Sequence, residues 1–212
     1  MNLRKILALV YSDYRRYRAT GGQDNSSLLG VLLLTQGFWA SAVYRFSHAI
    51  TNIKQSFLRR PLRIFFLFVE KGVEVFTGIR IPGECTIGKG LYLGHFGNLI
   101  LNDQVVIGDN CNLSQGVTIG IAQRGDKAGV PVIGDRVYIG PNAVLFGGIR
   151  IGSDVAIGAG SIVMHSFEQR SVVGGNPAKL LSRAGSFELI HYDQMDQDSE
   201  RIVSLSMREI TK

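Results

Sequence analysis

Aliphatic residues recur with a six-residue step through the middle of this chain, at Ile81, Ile87, Leu93, Leu101, Ile107, Leu113, Ile119, Ile133, Ile139, Leu145, Ile151, Ile157 and Val163. Two steps are longer: eight residues from Leu93 to Leu101, and fourteen from Ile119 to Ile133. Glycine follows the aliphatic residue at Gly88, Gly94, Gly108, Gly120, Gly134, Gly140, Gly152 and Gly158. Small or β-branched residues stand four positions after it at Cys85, Val105, Cys111, Val117, Val137, Ala143, Val155 and Ser161. An α-helix turns every 3.6 residues and cannot keep such a period on one face, and a hairpin meander would not hold it so long. A triangular parallel β-helix does. Each hexapeptide makes one short face and one corner, with the aliphatic side chain inside and a glycine or small residue allowing the corner to be tight.

The expected class is therefore mainly β, with a helical segment ahead of the repeats. Residues 1–78 read as helices, broken at Gly21-Gly22 and at Arg59-Arg60-Pro61. Residues 79–183 are the β-helix domain, and 184–212 form a polar tail, either a capping helix or a mobile segment. The 26 glycines are spread through the repeats with only 5 prolines, which indicates regular turns and not a disordered chain.

The 2 cysteines, Cys85 and Cys111, have neither metal-ligand spacing nor a disulfide framework, so a reduced cytoplasmic setting and no metal are expected. The start, Met1 to Lys5, does not read as a signal peptide. The apolar window Leu28 to Tyr44 is interrupted by Thr35, Gln36 and Ser41, and reads as a buried or interfacial helix instead of a membrane span. Residues 1–80 hold 12 Lys and Arg against 4 Asp and Glu, a balance of +8, whereas the chain as a whole is +6. A basic, apolar segment of this kind suits peripheral contact with the inner membrane face; a solvated helical face is the other reading. No nucleic-acid-binding motif is present.

Counting the three faces in turn places Leu93, Leu113, Ile139 and Ile157 on one of them in consecutive coils. The residues two positions on, His95, Gln115, Pro141 and Ala159, then line a single edge, with neighbours one strand spacing of roughly 4.8 Å apart. The eight-residue step adds two residues around His95, in Gly94-His95-Phe96-Gly97, a bulge that would project the imidazole outward. The fourteen-residue step inserts residues 121–132, a loop with Arg124, Asp126 and Lys127 that could fold over a neighbouring site. A histidine titrating near neutrality can take a proton from a hydroxyl as that hydroxyl attacks a carbonyl, so His95 is the candidate general base. Its alternative is a surface turn histidine. His48, on an apolar helix, reads as a packed core residue, and His165 and His191 as loop or tail positions.

From Gly37 onward the chain resembles the serine O-acetyltransferase branch of the hexapeptide-repeat acyltransferases, whose fold is a left-handed parallel β-helix. The matching stretches are Gly37-Phe38 with Tyr44-Arg45-x-x-His48, Gly94-His95-Phe96-Gly97, Ser114 to Gly120, Ile157 to Ser161, and Val173 to Lys179. The resemblance implies a homotrimer, with acetyl-CoA lying between adjacent subunits and His95 activating the acceptor hydroxyl for direct attack on the thioester. It also implies that Pro141 and Ala159 line the pantetheine arm beside Gln115, and that Lys179 faces the CoA phosphates, unless Lys179 is an exposed lysine capping the last coil.

The departures bear on the acceptor. Serine-using members carry Asp directly before the catalytic His and a second Asp fifteen residues upstream; here those residues are Gly94 and Arg80. They place a second His before a Pro in the inserted loop, where Val130 precedes Pro131. A zwitterionic amino acid needs paired charges to be held. The expectation is therefore acetylation of a sugar hydroxyl, free or lipid-linked, as in surface-polysaccharide pathways. L-serine and a non-catalytic trimeric scaffold stand as the alternatives. The ending Glu209-Ile210-Thr211-Lys212 gives no expectation of the family's partner that binds a C-terminal isoleucine.

Overall fold

The computed structural model describes residues 3–20 and 28–210. The repeats form a three-sided, left-handed β-helix of parallel strands two to four residues long, as short as one hexapeptide face requires. The first sheet stacks β1 (Ile79–Arg80), β4 (Leu99–Leu101), β7 (Thr118–Gly120), β10 (Val144–Phe146) and β13 (Ile162–Val163). The second stacks β2 (Thr86–Ile87), β5 (Val106–Ile107), β8 (Val132–Ile133) and β11 (Arg150–Ile151). The third stacks β3 (Tyr92–Leu93), β6 (Asn112–Leu113), β9 (Tyr138–Ile139), β12 (Ala156–Ile157), β14 (Val172–Gly175) and, antiparallel at the end, β15 (Ala178–Ser182). All thirteen periodic aliphatic residues are buried in one core.

The corners work differently from the expectation. The glycines after the aliphatic residues do not supply a left-handed backbone at the corner between the second and third sheets. They allow close stacking: a Cβ at Gly108 would lie 2.2 Å from Asp135 Oδ1, and one at Gly152 would lie 2.3 Å from the Gln169 amide nitrogen. The left-handed turn comes two residues later, at Asn110 (φ 56°), Arg136 (φ 54°), Asp154 (φ 59°) and Arg170 (φ 60°). Each of these donates its amide to the coil before, as Arg136 does to Asp109 O at 2.7 Å, so the ladder offsets the backbone strain.

Ahead of the repeats stand α1 (Leu3–Thr20), α2 (Leu28–Leu34), α3 (Gln36–Thr51) and α4 (Ser56–Thr77). The expected break at Gly21-Gly22 lies outside the described residues. The expected break at Arg59-Arg60-Pro61 is instead at residues 52–55, and Pro61 sits inside α4. Only the amide that would serve Phe57 O is lost there, and Phe57 is open to solvent. The window expected as one helix from Leu28 to Tyr44 is two, divided at Thr35. No helix among the described residues is long and apolar enough to cross a membrane.

Helices α1 and α3 close the open end of the β-helix with side chains that replace a missing coil. Tyr17 Oη donates to Leu93 O at 3.2 Å and accepts from the Leu93 amide at 3.1 Å. Tyr44 Oη does the same between Cys85 O at 2.9 Å and the Ile87 amide at 3.0 Å. Asp13 accepts from the Leu91 amide at 2.9 Å, and Arg45 donates to Ile87 O at 2.7 Å and Gly88 O at 2.6 Å. Asp13 and Arg45, both buried, also form a two-pronged ion pair at 2.9 Å. Each end therefore satisfies the other's charge while serving an unpaired strand edge. Gly37 permits the approach, since a Cβ there would lie 2.2 Å from Leu93 O. His48 is half-buried, not fully packed in the core, and its Nδ1 is 2.9 Å from Gly83 O.

The tail is a packed strap. Ser186 Oγ donates to Arg136 O at 2.5 Å, Phe187 and Ile190 are buried, and α5 (Ser199–Ile210) follows. The Tyr192 ring has the Arg16 guanidinium 5.9 Å and the Arg201 guanidinium 5.7 Å from its centroid, which ties the strap to α1.

Candidate active site

Register fixes the edge between the third and first sheets. Leu93 pairs with Leu113, Leu113 with Ile139, Ile139 with Ile157, and Ile157 with Val173. His95, Gln115, Pro141 and Ala159 thus follow in successive coils, joined by amide bonds from Asn142 to Gln115 O (3.0 Å) and from Gly160 to Pro141 O (2.8 Å). His95 and Ala159 are exposed, and Gln115 and Pro141 half-buried. Lys179 pairs with Gly174 in the closing hairpin, exposed at the far end of this edge from His95.

The bulge carrying His95 is docked on the end of α4. The Gly97 amide donates to Thr77 O at 2.8 Å, and the Leu99 amide to Gly78 O at 3.1 Å. A helix end leaves carbonyls without intrahelical partners, and the bulge supplies one. Gly97 has φ 124°, a region essentially reserved for glycine, and a Cβ there would lie 3.4 Å from Gln115 Cβ. Beside it, Gln115 Oε1 is buried and has no hydrogen-bond partner among the described residues. The His95 ring makes no hydrogen bond among the described residues.

The other charged groups lie elsewhere. Glu84, the nearest upstream carboxylate in the sequence, accepts from Arg63 at 2.9 Å at the corner between the first two sheets. Arg80 projects from β1 into a cavity of about 550 Å³ between α4 and the first sheet, with Arg63, Glu70, Glu74 and Asp103 also in its wall. Sequence reasoning missed this cavity; the polar residues recurring along one side of α4 were its only sign. The inserted loop is a small hairpin, with Ala122 paired to Gly129. It lies on its own protomer's corner between the first and second sheets, through Gly148 N to Lys127 O (2.8 Å) and Lys127 Nζ to Met164 O (3.0 Å). It does not cover the His95 edge of the same chain. The thiols are no nucleophiles: burial pushes both Cys85 and Cys111 up to about 12.

The β-helix and its edge place this chain beside the hexapeptide-repeat acyltransferases, and the comparisons agree. The family model described as "Bacterial transferase hexapeptide (six repeats)" matches residues 131–165. Serine acetyltransferase from Bacillus pumilus (strain SAFR-032) is 31% identical over 189 residues, covering 88% of this chain and 83% of the relative. That from Helicobacter pylori (strain ATCC 700392 / 26695) is 32% identical over 153 residues, 72% of this chain and 85% of the relative. The crystal structure of Neisseria gonorrhoeae serine acetyltransferase in complex with serine superposes with a TM-score of 0.71 at 30% identity, covering 85% of this chain and 70% of that one. The chain belongs to the serine acetyltransferase family. It is an acyltransferase, and the comparisons lend no support to the expected likeness to surface-polysaccharide enzymes.

Proposed function

We propose that this protein transfers the acetyl group of acetyl-CoA to the hydroxyl of L-serine, with His95 as general base. The observation that carries the reading is the position of His95, lifted by the bulge at one end of the edge formed by Gln115, Pro141 and Ala159. The acceptor rests on the relatives, which are serine acetyltransferases over most of their length. The free, buried thiols fit a reduced cytoplasmic setting.

Acetyl-CoA supplies an acetyl thioester, whose carbonyl carbon receives the attacking oxygen. His95 takes the hydroxyl proton as the new C–O bond forms, then returns it to the sulfur as the C–S bond breaks. The edge fits the donor's arm: Gln115, Pro141 and Ala159 line it in successive coils, and Lys179 meets phosphate at the far end. On the protomer the groove is open, and a neighbouring subunit of a trimer closes it.

A neutral sugar hydroxyl is the second reading. It is favoured by Gly94 and Arg80, which stand where serine-using relatives are expected to carry carboxylates, and by Glu84, which is engaged by Arg63. Thiol release from acetyl-CoA, measured with L-serine and with a panel of neutral sugars, separates the two. Robust turnover with L-serine supports the proposal, and turnover confined to sugars overturns its acceptor.

A further inference from the structure

Helix α4 presents an apolar face that its own protomer leaves uncovered. Phe57, Ile64, Phe68 and Val75 recur at steps of seven, four and seven residues, so they fall on one line of the helix, with Phe65 and Phe76 beside it. Phe57, Phe68, Val75 and Phe76 are each at least three-quarters exposed. The opposite side packs on α3 and β1.

The charge is one-signed toward the N-terminal end of α4, while the carboxylates of its last two turns are paired, Glu70 with Arg63 and Glu74 with Lys71. From residue 25 to residue 69 the chain has no Asp or Glu, but it has Arg45, Lys54, Arg59, Arg60 and Arg63. Arg45 is paired with Asp13, and Arg63 with Glu70 and Glu84. Lys54, just ahead of α4, and Arg60, near its start, are exposed and have no carboxylate partner among the described residues, whereas the half-buried Arg59 donates to Ile53 O at 3.2 Å. A 22-residue helix is about 33 Å long, so a face about 10 Å wide offers about 330 Å². A stable protein interface needs about 800 Å² per partner, which this face does not reach alone. A lipid surface sets no such threshold. It takes the rings among its acyl chains and the cations at its phosphates.

We infer that α4 docks the protein on an anionic lipid surface, lying in its plane with Phe57, Phe65 and Phe68 inserted and Lys54 and Arg60 at the headgroups. This does not depend on which hydroxyl is acetylated.

The test is co-sedimentation of the full chain with vesicles of equimolar phosphatidylglycerol and phosphatidylcholine, against phosphatidylcholine alone. Binding to the anionic vesicles that weakens roughly tenfold from low to high salt is expected. Phe65→Glu with Phe68→Glu should abolish it, and Lys54→Glu with Arg60→Glu should weaken it several-fold, with turnover and light-scattering mass unchanged. Failure of the unaltered chain to bind anionic vesicles overturns the inference. A fall in oligomeric mass on Phe65→Glu overturns it equally, since the face would then be a subunit contact.

Discussion

The Gly97 amide donates to the Thr77 carbonyl at 2.8 Å, so the bulge that carries His95 begins where α4 ends. One bond thus ties the helical segment to the edge of the β-helix on which the chemistry is proposed. Gly97 makes it with a backbone (φ 124°) that an L side chain adopts only under strain. Gly97→Ala is expected to cost about 1–3 kcal/mol locally and to lower kcat more than it lowers the global unfolding midpoint. Steady-state kinetics beside a urea titration would check this; equal losses in both would deny the bulge a special role.

Replacing His95 by Ala removes the proposed general base. Turnover should fall by about 10²–10⁴-fold while CoA binding by calorimetry stays within about twofold. Because the side chain is exposed and unbonded in the protomer, its loss should leave the thermal midpoint unchanged. Retained turnover would assign the base elsewhere.

Ala159 is exposed on the groove, three coils from His95, so a larger side chain there meets the donor's arm and not the core. Ala159→Phe should raise KM for acetyl-CoA by about tenfold or more at unchanged stability. An unaltered KM would move the donor off this edge.

Tyr17 and Tyr44 each hold both a donor and an acceptor of the first coil with one hydroxyl. Phe at either position leaves a buried amide and a buried carbonyl unpaired, at about 1–3 kcal/mol for each group. Denaturant unfolding should show a loss of about 2–6 kcal/mol per substitution. A loss under about 0.5 kcal/mol would mean that water replaces the hydroxyl.

Cys85 and Cys111 should be silent to thiol reagents at pH 8 in the folded protein and react on denaturation. Burial lifts both from an ordinary 9.0 to about 12, and at Cys85 the charges of Glu84 and Asp103 add to the shift. Between those values the unfolded chain has released protons that the folded chain still holds. Stability is therefore full below about pH 9 and declines as pH rises toward about 12. An alkaline denaturation series reads the slope; a flat profile over that window would contradict the burial argument.

Much of the fold was legible because a β-helix repeats its inward side chain at a fixed step, so the thirteen aliphatic residues name their own faces. The edge followed by counting, since two residues past the third face is the same place in every coil. What escaped reading depends on contacts between distant segments. Asp13 and Arg45 meet at the end of the first coil, which no local pattern announces. Pro61 looked like a break because its neighbours are polar, but the carbonyl it leaves bare faces water. The glycines looked like the turning residues. At the corner between the second and third sheets the turn belongs to Gly90 in the first coil and to Asn110, Arg136, Asp154 and Arg170 after it, not to the glycines directly behind the aliphatic residues. The inserted hairpin could be sized from the sequence, but its direction is set by Gly147 and Gly148 on the next coil.

The helical cap has one more consequence. A stack of parallel strands that ends in bare amides and carbonyls is a template on which the next molecule's strands can add, and so a route to fibres. Tyr17, Tyr44, Asp13 and Arg45 occupy those positions at one end, and the antiparallel return of β15 along β14 turns the last strand of the third sheet back on itself at the other. The helices ahead of the repeats thus act as a chain terminator, fixing the length of a structure whose repeat alone contains no instruction to stop.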